Sequence, residues 1–127
     1  DEDVKCRGPL RMAKKEGDAR KIEACRQTSL SICTEIINMM SQLIDMAKEL
    51  SAVCPAGALC YAAEGTELAL TAVKITRMYI VSVAAQSPDE TYRYVTRREN
   101  ELTLEACSAA AAEVTAKAEE SLQTVHD

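Results

Sequence analysis

Apolar positions recur along the chain at intervals of three and four residues, the spacing that gathers side chains on one face of an α-helix. In the first segment Ser29, Cys33, Ile36, Met40, Leu43, Ala47 and Leu50 form such a row, and Leu30, Ile37 and Ile44 widen it. This predicts a first helix from about Pro9 to Ala52, interrupted if Gly17 acts as a break. Unbroken and straight, it would be on the order of 60 Å long.

A second helix is predicted from about Ala58 to Gln86. One apolar stripe runs through Ala62, Thr66, Leu70, Val73, Ile80 and Ala84, and another through Leu68, Ile75 and Tyr79. A helix apolar on two sides is expected to have two neighbours. The third helix, about Pro88 to Thr124, carries Leu104, Cys107, Ala111, Val114, Ala118, Leu122 and Val125 at heptad-like spacing, while its first half, from Thr91 to Glu101, is far more polar. The run Ala109 to Ala112 reads two ways: it lets a neighbouring helix approach closely, or it simply favours helix.

Two short segments punctuate this pattern, Cys54-Pro-Ala-Gly-Ala-Leu-Cys60 and Ser87-Pro88-Asp89-Glu90. In the second, a serine precedes proline at the expected first helical position, with acidic residues in the first turn. Short connections between long helices force antiparallel neighbours. The expected fold is therefore all-α: an elongated up-down-up three-helix bundle in a single domain spanning residues 1–127. A compact four-helix bundle is the alternative if Gly17 is a true break.

Composition narrows the class. The chain has 127 residues, 47% hydrophobic and 28% charged, with four glycines and neither Trp nor Phe. So few aromatic and turn residues argue against a β-sandwich or barrel. The apolar share is too high for intrinsic disorder. The most apolar stretch, Leu68 to Ala85, is interrupted by Lys74 and Arg77, so no transmembrane segment is expected.

Six cysteines stand out: Cys6, Cys25, Cys33, Cys54, Cys60 and Cys107. An even count near predicted helix ends, in a chain that starts at Asp1, leads to the expectation of a mature extracellular or cell-surface protein stapled by disulfides. Cys54 and Cys60 flank a turn that a local bridge would clamp. Cys25 and Cys33 lie two helical turns apart, about 12 Å, too far to bridge one another. Cys107 falls nearer Cys60 or Cys33, and Cys6 reaches Cys25 or Cys33 only if the chain folds back at Gly17. The other reading is a cytoplasmic bundle whose cysteines are reduced and act as small hydrophobes.

The parts of an enzyme are missing. The single histidine, His126, is the second-last residue, which leaves no Ser–His or Cys–His pair inside the domain. There is no Cys-x-x-Cys, no Glu-x-x-His and no glycine-rich phosphate loop, so neither a metal nor a cofactor is expected. Met39, Met40 and Met46 could join cysteines as soft Cu(I) donors, but Met40 lies on the apolar row and reads as core filling.

Charge is distributed unevenly. Net charge is −5, yet eight of 15 basic residues fall within the first 26 positions. Antiparallel packing is expected to bring Arg20, Arg26, Arg77, Arg93, Arg97 and Arg98 to one end, and Glu49, Glu64, Glu67, Glu113, Glu119 and Glu120 to the other. Acidic residues interleave the basic stretch and no aromatic platform accompanies it, which argues against nucleic acid as partner. The expectation is a non-enzymatic binding protein that touches a macromolecular partner, a protein with an anionic surface, at its basic pole. A cytoplasmic structural or adaptor bundle and a carrier of a small apolar ligand are the alternatives.

Overall fold

The computed structural model describes residues 8, 9, 11, 12 and 17–126, with side-chain surroundings as far as Gln123. Three long helices make up this stretch: α1 (Ala19–Ser51), α2 (Ala56–Ala84) and α3 (Glu90–His126). At 1.5 Å per residue they are about 50, 44 and 56 Å long. Among the described residues there is no strand.

Each helix end has a local cause. Gly17 sits in the left-handed region, at φ 72°, where a side chain would cost roughly 1–2 kcal/mol. It breaks the long first helix, and the described residues ahead of it, Gly8, Pro9, Arg11 and Met12, are helical and exposed. Asp18 then caps α1, its carboxylate accepting the backbone N–H groups of Arg20 at 3.0 Å and Lys21 at 3.2 Å. After α1 the N–H of Cys54 returns to the Leu50 carbonyl at 2.8 Å, and extended Pro55 launches α2.

The start of α3 corrects the expected one. Asp89, and not Ser87, is the cap: its Oδ1 accepts the Tyr92 N–H at 3.1 Å. Pro88 lies in the turn ahead of the helix. Ser87 closes that turn twice, its hydroxyl accepting the Asp89 N–H at 3.2 Å and its carbonyl the Arg93 guanidinium at 2.6 Å.

Cross-helix contacts fix the directions. Ser29 meets Tyr79 and Arg26 meets Gln86, so α1 and α2 are antiparallel. Thr115 donates to Glu67 at 3.0 Å, so α3 reverses again. Ser41 with Cys107, Lys48 with Glu113 and Ser51 with Lys117 set α3 parallel to α1.

The main core joins all three helices: Ile44 from α1, Ala69, Leu70 and Val73 from α2, and Cys107, Ala110 and Ala111 from α3. A smaller cluster of Cys33, Ile37 and Ile80 lies toward the α2–α3 turn. Ala110 and Ala111 are buried while Ala109 and Ala112 are exposed, so only half of the alanine run serves close packing.

Two further expectations need correction. Leu43 and Leu50, placed in the core row of the first helix, are more than half exposed; Ile44 and Ser51 take the inward places one position later. The disulfide staple is also not supported. No bridge joins any of the five described cysteines, and Cys6 lies outside the described residues. Cys33 and Cys107 are spent as buried packing residues, and Cys60 lies a turn into α2 on the side facing α3, away from Cys54 in the preceding turn.

Candidate functional site

The six arginines expected at the basic pole are only partly brought together. Arg26 donates to Gln86 at 3.0 Å and lines a cleft of about 380 Å³ with Glu23, Ser87, Asp89 and Tyr92. Arg93 is committed to the Ser87 carbonyl, and together with Arg97 it lines a second hollow beside Val81, Ala85 and Glu90. Arg98 pairs within its own helix with Glu101 at 3.5 Å. Arg20 is exposed at the start of α1. Arg77 stands apart: nine residues before Gln86 on a helix is about 13 Å up the rod. Its Nε is shielded from solvent without a hydrogen-bond partner. Carboxylates of Glu23, Asp89 and Glu90 share this end, so its field is mixed rather than strongly positive.

Among the described residues no group of three His, Cys, Asp or Glu side chains could hold a metal ion. Among the described residues no helix is long and apolar enough to cross a membrane. A groove between α1 and α3, about 260 Å³, is lined by polar side chains such as Thr34, Asn38, Thr96 and Asn100.

The most unusual surface lies elsewhere, on the solvent side of α1 and α2. Met39, Leu43, Met46 and Leu50 follow one another at four, three and four residues along α1, and all are more than half exposed. On α2 Tyr61, Leu68 and Ile75 recur every seventh residue and are 75%, 73% and 63% exposed, with Met78 beside them. The two rows meet in a groove of about 210 Å³ walled by Leu43, Met46, Leu50, Tyr61 and Ala62 and floored in part by Gly65. Across the α2 ridge a wider hollow of about 560 Å³, between α2 and α3, adds Leu68 and Leu122.

Soluble proteins normally give this side of a helix polar residues. Taking roughly 200 Å² for a large side chain, the eight residues together expose on the order of 1,000 Å², beyond the few hundred of an ordinary surface patch. A stable protein interface takes about 800 Å² from each partner.

Carboxylates edge this face. Glu35 is one turn before Met39, Glu49 follows Met46 by three residues, and Glu64 sits between Tyr61 and Leu68. Asp45 lies next to Met46. None of these four makes an ion pair with a described residue, whereas the nearby cations are engaged, Lys48 by Glu113 at 3.5 Å and Lys117 by Ser51 at 3.4 Å. The acidic pole and the apolar face therefore overlap.

This surface was missed in the sequence because Leu43 and Leu50 were read as core and Leu68 and Ile75 as a stripe covered by a neighbouring helix. The signal was present: Ile36, Ile37, Met39, Met40, Leu43, Ile44, Met46, Ala47 and Leu50 occupy more of the helix circumference than one buried stripe needs. No protein-family model, no curated protein and no solved structure matches the chain.

Proposed function

We propose that the protein is a non-enzymatic helical interaction module that docks a protein partner on the outer face of α1 and α2. One observation carries the reading: α2 is apolar on its solvent side as well as its core side, with Tyr61, Leu68 and Ile75 all at least 63% exposed. An exposed apolar row on a helix that already has a core face marks an interaction surface. α2 packs against both α1 and α3, yet Leu68 and Ile75 of its second stripe stay exposed, so a partner is the natural source of their cover. The non-enzymatic part rests on the sequence, with its single terminal histidine and no nucleophile–base pair.

Photo-crosslinking tests the reading. A benzoylphenylalanine placed at Leu43 or Leu68 in source cells is expected to give one discrete adduct that Tyr61→Ser abolishes. The same group at exposed Glu105 on α3 is expected to give none. Identical adducts at all three positions, or none anywhere, would remove the reading.

A basic pole contacting an anionic surface is the second reading, favoured by the open cleft at Arg26. The extracellular or cell-surface setting is a separate proposal, with a cytoplasmic adaptor as its alternative. Buried Cys107, its sulfur 3.3 Å from the Ser41 hydroxyl, supports the alternative.

A further inference from the structure

We infer that the occupant of the α1/α2 groove is a basic amphipathic helix, an inference that rests on the docking reading above. Three features of the groove select this chemistry. It follows the α1 axis: from Leu43 to Leu50 is seven rises, about 11 Å or two helical turns, and Met39 continues the exposed row one turn further. A helix laid along it would offer apolar residues at i, i+3 or i+4 and i+7 to the row Met39, Leu43, Met46 and Leu50. Met46 in its wall, and Met39 beyond it, add flexible, polarizable side chains that adapt to an occupant.

Charge then decides which helix. No carboxylate lines the groove itself, but exposed Glu35 and Glu49 flank the α1 row in sequence and exposed Glu64 follows Tyr61 by three residues on α2, where it lines the hollow toward α3. With Asp45 beside Met46, none is ion-paired with a described residue. Lysines or arginines flanking the apolar stripe of an incoming helix would meet these carboxylates. An acidic helix would be repelled. A second copy of this chain fits less well, because pairing through the same face lays one acidic rim against the other. Opposite charge at the rim adds on-rate and selectivity, and its contribution falls with salt.

The test uses the full chain and three 18-residue labelled helical peptides with the same leucine stripe, whose polar faces are all lysine, all glutamine or all glutamate. The lysine peptide is expected to saturate at one equivalent and to bind at least about tenfold tighter than the glutamine peptide, the worth of one to two well-placed charge pairs. Leu43→Ser with Tyr61→Ser, both at exposed positions and checked for an unchanged melt, is expected to weaken it by about tenfold or more. Glu49→Gln with Glu64→Gln is expected to remove most of the preference for lysine and flatten the salt dependence. Equal binding of the lysine and glutamine peptides, lost in Leu43→Ser/Tyr61→Ser, would overturn the charge selection and leave docking intact. Lysine-peptide binding indifferent to Leu43→Ser/Tyr61→Ser would overturn the site. No binding by any peptide, or a dimer of the chain that Leu43→Ser dissolves, would overturn the basic-helix occupant; the crosslinks at Leu43 and Leu68 then decide separately whether the face docks anything.

Discussion

The hydroxyls of Ser29 and Tyr79 lie 2.8 Å apart and tie α1 to α2 at a point where Ser29 is only 2% exposed. Tyr79 belongs to the second apolar stripe of α2, and this bond turns it toward α1, away from its exposed stripe-mates Leu68 and Ile75. Tyr79→Phe removes the partner of a buried hydroxyl and is expected to cost about 1–2 kcal/mol in denaturant unfolding. Ser29→Ala in the Tyr79→Phe background should cost little more, since the polar group left unsatisfied is then gone. Strictly additive costs would mean that the two hydroxyls act independently.

Leu43 and Ile44 are neighbours in sequence with opposite surroundings, 52% and 0% exposed. Ile44→Ala opens a cavity where all three helices meet, at an expected cost of about 2–5 kcal/mol. Leu43→Ser should stay within about 0.5 kcal/mol of the parent. Equal losses in urea melts would show that the outer row of α1 is part of the core.

Thiol reactivity reads the cysteines directly. Cys33 and Cys107 are buried, and Cys25, Cys54 and Cys60 are half-buried. Alkylation of the native protein is expected to modify the last three first, and the first two only on unfolding. Reductant should change neither the intact mass nor the melting temperature. A loss of about 2–4 kcal/mol on reduction would instead indicate a bridge.

The α2–α3 turn separates two of the arginines. Arg93 donates at 2.6 Å to the part-buried Ser87 carbonyl, whereas Arg97 is exposed and makes no such bond. Arg93→Ala is expected to cost about 1 kcal/mol or somewhat more, because its bond is charge-assisted. Arg97→Ala should be neutral within about 0.5 kcal/mol. If Arg93→Ala proves equally silent in thermal melts, the guanidinium is not holding the turn.

What the sequence determined by itself was the set of local decisions. The three-and-four spacing marks three helices, and Pro55, Gly17 and the Ser87–Asp89 segment mark where they stop, because period, cap and turn chemistry act within a few residues. Short connections then dictate the up-down-up order. The Val73 and Val114 rows were legible as core because few other large apolar residues compete for those arcs of α2 and α3. On α1 the competition was real: Leu43 and Ile44, or Leu50 and Ser51, could each have faced inward at the cost of a rotation of about 100°. Only tertiary packing chose, by fitting Ile44 against Ala69, Ala110 and Ala111 and burying Ser51, and so turned Met39, Leu43, Met46 and Leu50 outward. The cysteines were decided in the same way. Their number is a property of the sequence, whereas a bridge requires two Cα atoms within about 7 Å and suitably aimed, and helix rotation directs Cys33 and Cys107 into packing. The overlap of apolar face and acidic rim is likewise a product of two helices lying side by side, which no local pattern in either helix contains.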